Sequence, residues 1–374
     1  MKVLVTGGAG FIGSHTVDAL LKKGYAVKVL DNLQKRVHPF GEPSWVPKEV
    51  EFIKGDVSDK NTLAKALNGV ERIFHLAAYQ DYLPDFSTFI HTNTESTALI
   101  FELILEKKLP IEKIIFASSQ AVCGEGKYRC PKHDVVYPQQ RTLDQLLKSD
   151  WEVKCPAGCQ NKLTPLLIDE ETINPVTTYG ISKLAIEHLA LLLGKKYNIP
   201  TVCLRYTYVQ GPRNSFYNAY SGIMRISVMR ALHGKPPIVY EDGAQRRDFI
   251  NIADVVNANI LAMEDKRADF QVFNVGGGHA YTVLEFVKAV CKIVNPSLQP
   301  EIPGMFRVGD TRHTVDDISK LERLGWKPKI PIEQSIKEYV DWVKTQPHFE
   351  DYYQKAEAEL KKRGALLQAN IKLH

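Results

Sequence analysis

The sequence lacks any apolar run of the ~18 residues that would cross a bilayer, and its first apolar run begins at residue 2, leaving no space for a cleavable leader. A soluble, cytoplasmic protein is therefore expected. Cysteine is scarce, at six residues in 374. In a reducing compartment these are expected as buried thiols or metal ligands, not disulfides. Neither sign of charge dominates: 48 Lys and Arg against 43 Asp and Glu leave a formal net charge of +5, well mixed along the chain. That balance argues against nucleic acid as a partner and suits an anionic small molecule. No internal repeat or low-complexity segment occurs. What is abundant is core material: 44% hydrophobic residues at this length suggest two or three domains.

The first such material is Lys2 to Val5, an apolar strand pattern that runs into Thr6-Gly7-Gly8-Ala9-Gly10-Phe11-Ile12-Gly13 and then a helical pattern from Ser14 to Lys23. Gly8, Gly10 and Gly13 fit G-x-G-x-x-G in its proper strand–turn–helix setting. Such glycines permit a tight turn and close approach of backbone to a pyrophosphate, which then sits on the free N–H groups of the helix start. Asp31 closes the next apolar run, Tyr25 to Leu30, where a carboxylate holds ribose hydroxyls and disfavours a 2′-phosphate. NAD is thus expected. Lys35 and Arg36 leave NADP as the alternative.

Short apolar runs then alternate with helical stretches. Glu51-Phe52-Ile53, Arg72 to Leu76 and Lys113 to Ala117 each end in small or polar residues, with helical patterns at Asn61 to Leu67 and Thr88 to Lys107 between them. This predicts a doubly wound parallel sheet whose strand ends face a cofactor crevice. The rhythm breaks between Gly124 and Pro165, where Cys130-Pro131-Lys132-His133 and Cys155-Pro156-Ala157-Gly158-Cys159 form two short knuckles. Four soft ligands in that arrangement resemble a zinc ribbon, with Cys130, His133, Cys155 and Cys159 closing a structural site; an insertion with incidental thiols is the alternative. The rhythm resumes at Asn174 and gives way after Thr201 to Arg205 to a loop-rich region. From Glu350 to His374 the charged pattern reads as a terminal helix or frayed tail.

Tyr179 and Lys183 are four apart at the start of the helical stretch reaching Lys196, so both fall on one face. A Lys⁺ near a phenol, together with a nicotinium charge, draws the phenol pKa of ~10 toward neutrality and makes a usable base. Alone, such a spacing is usually helix surface. Ser119, at the end of an intervening strand, adds a hydroxyl for the reacting centre; its bland reading is a helix N-cap.

With these residues in view the sequence resembles an extended short-chain dehydrogenase/reductase, specifically a nucleotide-sugar epimerase/dehydratase. The resemblance runs from Met1 to about Lys344 through TGGAGFIG, Asp31, Gly55-Asp56-Val57, His75 to Ala78, Asn93, Ser118-Ser119, Tyr179 to Lys183, Arg247-Asp248-Phe249 and Arg307 to Asp310. It implies a Rossmann domain over 1–205 carrying the zinc-ribbon-like insertion at 125–165. A smaller α/β nucleotide-sugar domain over 206–348 is partly interleaved with it, and a helical tail covers 349–374. Ser119, Tyr179 and Lys183 would be catalytic. Gly7, Gly10, Phe11, Ile12, Gly13, Asp31, Asn32, Asp56, Val57, Leu76, Ala77, Ala78, Asn93 and Tyr206, with Tyr179 and Lys183, would hold NAD. Gln80, Ser119, Tyr208, Gln210, Arg247, Arg307 and Asp310 would meet the nucleotide sugar, the guanidinium forks suiting phosphate oxygens. Family helices such as Thr88 to Lys107 and Tyr179 to Lys196 pair across a two-fold axis, implying a homodimer through a four-helix bundle.

Dehydratases and decarboxylases of this family carry acids just after the catalytic Ser or Thr; here Gln120 and Ala121 stand there. Epimerisation at C4, needing only hydride and hydroxyl-proton transfer, is the expected reaction. A 4-ketosugar reductase or dehydratase, or a silent dinucleotide-binding protein, are the alternatives. The insertion, with Gly124-Glu125-Gly126 and Tyr220 to Ile223, resembles that of dTDP-L-rhamnose 4-epimerase-like enzymes, which points to a deoxysugar nucleotide; a UDP-sugar is the other choice. Tyr208, Gln210 and Cys123 depart from the family pattern at positions expected beside the sugar.

Overall fold

Each apolar run that ends in small residues becomes a strand of one parallel sheet. The computed structural model describes residues 1–81, 84–217, 222–347 and 349–370. Strands β1 (Lys2–Thr6), β2 (Ala26–Asp31), β3 (Glu51–Lys54), β4 (Arg72–His75) and β5 (Lys113–Ser119) alternate with helices α1 (Phe11–Lys22), α2 (Lys60–Leu67), α3 (Phe86–Phe89) and α4 (Ser96–Lys107). An insertion follows, with strands β6 (Tyr128–Cys130), β7 (Asp134–Val136) and β8 (Thr164–Pro165) and helix α5 (Leu143–Leu147). Helix α6 (Thr178–Tyr197) and strand β9 (Thr201–Tyr206) return to the large sheet. The remainder comprises β10 (Tyr208–Gln210), α7 (Ile223–Leu232), β11 (Arg246–Asn251), α8 (Ile252–Glu264), β12 (Gln271–Val275), β13 (Ala280–Thr282) and α9 (Val283–Val294). Then come β14 (Met305–Arg307), β15 (His313–Thr314), α10 (Ser319–Glu322), α11 (Ile332–Lys344), α12 (Tyr353–Lys362) and β16 (Leu366–Gln368).

The large sheet has the order β12-β9-β5-β4-β1-β2-β3, all parallel. The order reverses between β1 and β4, and ligands of such sheets bind beyond the strand ends at that switch. Its strands are near-continuous apolar runs because helices cover both faces. One face packs Val3, Val5, Val29 and Phe74 under α1 and α8; the other packs Leu4, Leu30, Ile114 and Phe116 under α2, α4 and α6. The seventh strand is 271–275, so the sheet does not close at residue 205; α8 and β12 belong to it after an excursion through the second, smaller layer. That layer packs α7, α9 and α11 around Phe249, Phe286 and Tyr339.

Two local expectations differ. The helix expected over Thr88 to Lys107 is divided: α3 leads into a π-helical turn, Ile90–Glu95, before α4. The wider turn accommodates the buried Asn93 side chain, whose amide bonds Tyr79 and Ser182 across to α6. The C-terminal segment is not helical throughout. After α12 it forms β16, antiparallel to β14, with Leu366 buried against Met305 and Leu360. Two apolar residues in a charged stretch are too short a pattern to read as a strand, and their partner lies about sixty residues upstream.

Candidate active site

Helix α6 begins where it does because Thr177 caps it, its hydroxyl accepting the Gly180 N–H at 3.0 Å. Tyr179 therefore sits in the first turn, at the end of β5. Gly180 makes that approach close: a Cβ there would lie 2.4 Å from the Ala121 carbonyl oxygen. From the sheet side, the Ser119 hydroxyl accepts the Ala121 N–H at 3.2 Å and so caps the short 3-10 turn Gln120–Cys123. The capping role and a place beside Tyr179 coexist. A buried, bidentate pair locks the helix to the sheet: Arg205 of β9 donates to both Glu187 oxygens at 2.8 Å, and Ser118 donates to Glu187 at 2.5 Å. With both ions in the interior, removing one partner strands a buried charge, so the pair acts as a geometric pin.

The charges are not those expected from spacing alone. Burial pushes the Tyr179 phenol up to about 12, with hydrogen bonding from Ser119 opposing it. Burial also brings Lys183 down to about 7, against attraction from Cys203 and Glu187. The Lys183 ammonium donates to the Ala117 carbonyl at 2.7 Å and lies 5.8 Å from the Tyr179 ring centre. The protein by itself thus raises the phenol pKa, and its activation belongs to the ligand-bound state.

Most of the expected cofactor residues follow the C-terminal ends of β4, β1, β2 and β3, which are adjacent in the sheet, while Asn93 is in the π-helical turn, Tyr179 and Lys183 are on α6, and Tyr206 ends β9. Gly7 takes φ +69°, and a Cβ at Gly13 would lie 2.0 Å from the Gly7 carbonyl oxygen, so turn and helix pack backbone to backbone. The N-cap of α1 is Gly10, with no side-chain acceptor and no acid in the first turn, which leaves this helix end suited to an anion. Asp31 is mostly buried, and its oxygens accept the Ala9 and Leu33 N–H groups at 3.0 and 2.9 Å, bracing the turn. Asn32 donates to Asp56 at 2.8 Å, while Val57 is buried with Leu4 and Leu30. Leu76, Ala77 and Ala78 follow β4, where Thr6 and Ser96 hold both nitrogens of the buried His75 at 2.9 Å. Asn93 is buried and holds Tyr79, supporting this wall from behind. These features fit a dinucleotide. Trp45 adds a contact that no motif signalled, its indole N–H donating to the Ala9 carbonyl at 3.0 Å.

A cleft of about 690 Å³ is lined by Phe11, Ile12, Ser119, Tyr179 and Arg307. Gln80, Tyr208, Gln210, Arg247 and Asp310 also line it, so the expected substrate residues come together; Tyr206, expected at the cofactor, lines it too. Their bonding differs from the expectation in detail. The Arg247 fork donates to the carbonyls of Thr311, Arg312 and Arg246, with its face over Tyr208, so its hydrogen bonds go to a loop. Arg307 sits over Tyr240, 4.9 Å from the ring centre. The Tyr206 hydroxyl is tied to Asn259. Gln120 donates to Asp316 at 2.9 Å, placing a buried carboxyl behind the residue where sequence offered no acid. Burial raises Asp316 to about 7. Cys123, expected beside the sugar, instead turns into the core near Arg205 because the 3-10 turn carries it inward. Tyr220 and Ser221 lie outside the described residues. Gln140, from the insertion, lines the cleft and had no sequence signal at all.

In the insertion the Cys130, His133, Cys155 and Cys159 ligand atoms all lie within 4.8 Å of one another. Cys130 Sγ is 3.5 Å from His133 Nδ1 and 3.5 Å from Cys159 Sγ, and His133 Nδ1 is 3.3 Å from Cys155 Sγ. Among the described residues no helix is long and apolar enough to cross a membrane.

A doubly wound sheet with a glycine turn at its first helix, and Ser119, Tyr179 and Lys183 gathered near one cleft, defines a dinucleotide-dependent enzyme of the short-chain dehydrogenase type. The chain belongs to the NAD dependent epimerase/dehydratase family, whose sequence profile matches residues 3–142 and 155–276. It is similar to the dTDP-L-rhamnose 4-epimerase of Burkholderia thailandensis, 32% identical over 349 residues that cover 91% of this chain and 94% of that one. Its fold matches that of the UDP-glucose 4-epimerase of Thermotoga maritima, solved with UDP-glucose: TM-score 0.75, 30% identity, 92% of this chain and 99% of that one. The UDP-glucose 4-epimerase of Thermus thermophilus, solved with NAD, superposes with TM-score 0.72 at 29% identity, over 93% and 100% of the two chains.

Proposed function

We propose that this protein is an NAD-dependent 4-epimerase of a nucleotide diphosphate sugar, a dTDP-deoxysugar or a UDP-sugar. The observation that carries the reading is one cleft lined both by a hydroxyl pair, Ser119 and Tyr179, and by Arg307 with Asp310. An amide, Gln120, stands where elimination would call for a carboxylate. The relatives named above are 4-epimerases, which supports the same reaction. Residues up to 205, with α8 and β12, would serve NAD; 206–348 would serve the nucleotide sugar.

In this mechanism Gly10, Gly13 and the start of α1 would hold the cofactor pyrophosphate, and Asp31 and Asp56 would bound its adenosine end. Bound NAD supplies reversible hydride transfer at C4. Tyr179 accepts the C4 hydroxyl proton, with Ser119 hydrogen-bonded to the same oxygen, and later returns the proton to the 4-keto sugar after the sugar has turned over. Arg307 anchors the diphosphate through that turn, so the same residues serve both faces. Tyr179→Phe should leave fold and NAD content unchanged and lower kcat by at least ~100-fold; a rate within a few-fold of wild type in a nucleotide-sugar panel would overturn the assignment. Net consumption of added NADH, instead of recycling of co-purified NAD, would favour a reductase.

The insertion is proposed to bind one structural zinc. A tetrahedral site with Zn–S near 2.3 Å and Zn–N near 2.0 Å demands S···S of about 3.8 Å and N···S of about 3.6 Å; three of the spacings here are 3.5, 3.5 and 3.3 Å. Four protein ligands leave no position for a reacting water. A homodimer is also proposed, through α4 and α6: they pack side by side and leave Leu105, Ile181 and Leu192 exposed.

A further inference from the structure

The cleft wall from Arg307 to Arg312 follows β14 and gives five consecutive residues, Arg307 to Thr311, to the cleft. Most of this loop has no strand partner, so its backbone groups must find partners elsewhere. The insertion supplies several. Arg141, just after Gln140, donates through Nη2 to the Asp310 carbonyl at 2.7 Å. Its Nη1 donates to the Trp151 carbonyl at 3.0 Å and to Glu241 at 2.9 Å. Glu125, at the other end of the insertion, accepts the Arg312 N–H at 2.7 Å.

The same contacts lead back to the Cys/His knuckles. Trp151 and Glu152 lie four and three residues before Cys155 in the chain, and Glu152 accepts two bonds from the Arg312 fork at 3.0 and 2.7 Å. Arg141, Arg312 and Glu241 have side chains only 1% exposed. Below, Phe306 of β14 is packed among Leu146, Leu147 and Trp151 of the insertion and Leu367 and Ala369 of the tail. Asn370 N–H donates to the Leu147 carbonyl at 2.8 Å. The glycine turn shares none of these bonds. Only a fork can reach the Asp310 and Trp151 carbonyls and Glu241 together; an ammonium at that position loses at least one of them.

We infer that Arg141 is a positioning residue for the nucleotide-sugar wall, transmitting the order of the Cys/His insertion to the Arg307–Arg312 loop through the Asp310 carbonyl. The inference rests on the reading of that wall as a nucleotide-diphosphate site. Metal at the knuckles and nucleotide in the cleft are then thermodynamically linked, each favouring the other, while NAD affinity stands apart.

The test uses purified, NAD-loaded protein and its Arg141→Lys and Arg141→Gln variants, titrated calorimetrically with UDP and with dTDP. Both variants should bind the preferred nucleotide at least about fivefold more weakly, with KM raised, kcat little changed and co-purified NAD equal to wild type. Equal nucleotide affinity in a folded variant overturns the inference. A second measurement does not depend on the variants folding: hydrogen exchange of wild type before and after zinc removal by a chelator. Amides of 308–312 should exchange faster while those of 6–14 hold steady; unchanged exchange at 308–312, or equal acceleration at both, overturns it. If wild type binds neither nucleotide, the nucleotide-sugar reading fails, and the exchange result still decides the coupling.

Discussion

Asp316 shows how a single buried group shapes this site without touching the cleft. Its Oδ1 accepts the Gln120 amide, its Oδ2 has no hydrogen-bond partner, and Asp248 lies next to it, accepting the Asp316 N–H at 3.4 Å. Burial raises both carboxyls, and Arg205 is the cation that opposes the rise at Asp316. The sign follows from linkage. The folded chain keeps a proton that the unfolded chain releases above its ordinary carboxyl pKa of ~4, so the stability from this group is full below that pH and is lost as pH rises through about 7. Asp316→Asn keeps an acceptor for Gln120 and removes the titration. Its Tm should gain on wild type between pH 5 and pH 8; a constant difference across that range would refute the assignment. Gly180 and Gly13 act at the same scale by being absent side chains, each allowing a contact that a Cβ would fill.

At the scale of elements, the cleft wall from Arg307 to Thr314 lies beyond the family profile, which skips 143–154 within the insertion and ends at 276. The insertion has only a small core, with Tyr128, Val136, Val153 and Leu163 packed against its cysteines. A core that size is a weak scaffold without a cross-link. Cys155→Ser combined with Cys159→Ser should therefore reduce zinc from one equivalent to near zero and lower Tm, measured by metal analysis and calorimetry on the same preparations. Equal zinc in both proteins would remove these cysteines from the ligand set. The tail shows the same dependence on distant partners, since β16 exists only by pairing with β14.

At the scale of the molecule, the helix that carries Tyr179 and Lys183, α6, is also one of the two proposed to pair two copies. On α6, Ile181 and Leu192 are 51% and 65% exposed. Light scattering should give a dimer for wild type at micromolar concentration, and Leu192→Glu should shift it toward monomer with Tyr179 chemistry retained. A monomeric wild type would sink the bundle.

The sequence by itself determined whatever depends on neighbours a few residues apart: the glycine turn after β1, Asp31 closing β2, Tyr179 and Lys183 one turn apart, and the two Cys/His knuckles. Such features are legible because turn geometry and helical spacing are local. Tertiary structure alone decided which distant groups meet. It brought Arg205 to Glu187, Asp316 behind Gln120, Arg247 to the carbonyls of Thr311 and Arg312, and Gln140 with Arg141 into the wall of a cleft formed mainly by other segments. It also turned Cys123 inward and made the last residues of a charged tail into a strand. These pairings have no sequence period, because each is set by where the chain returns in space and by the need of a buried charge or carbonyl for a partner.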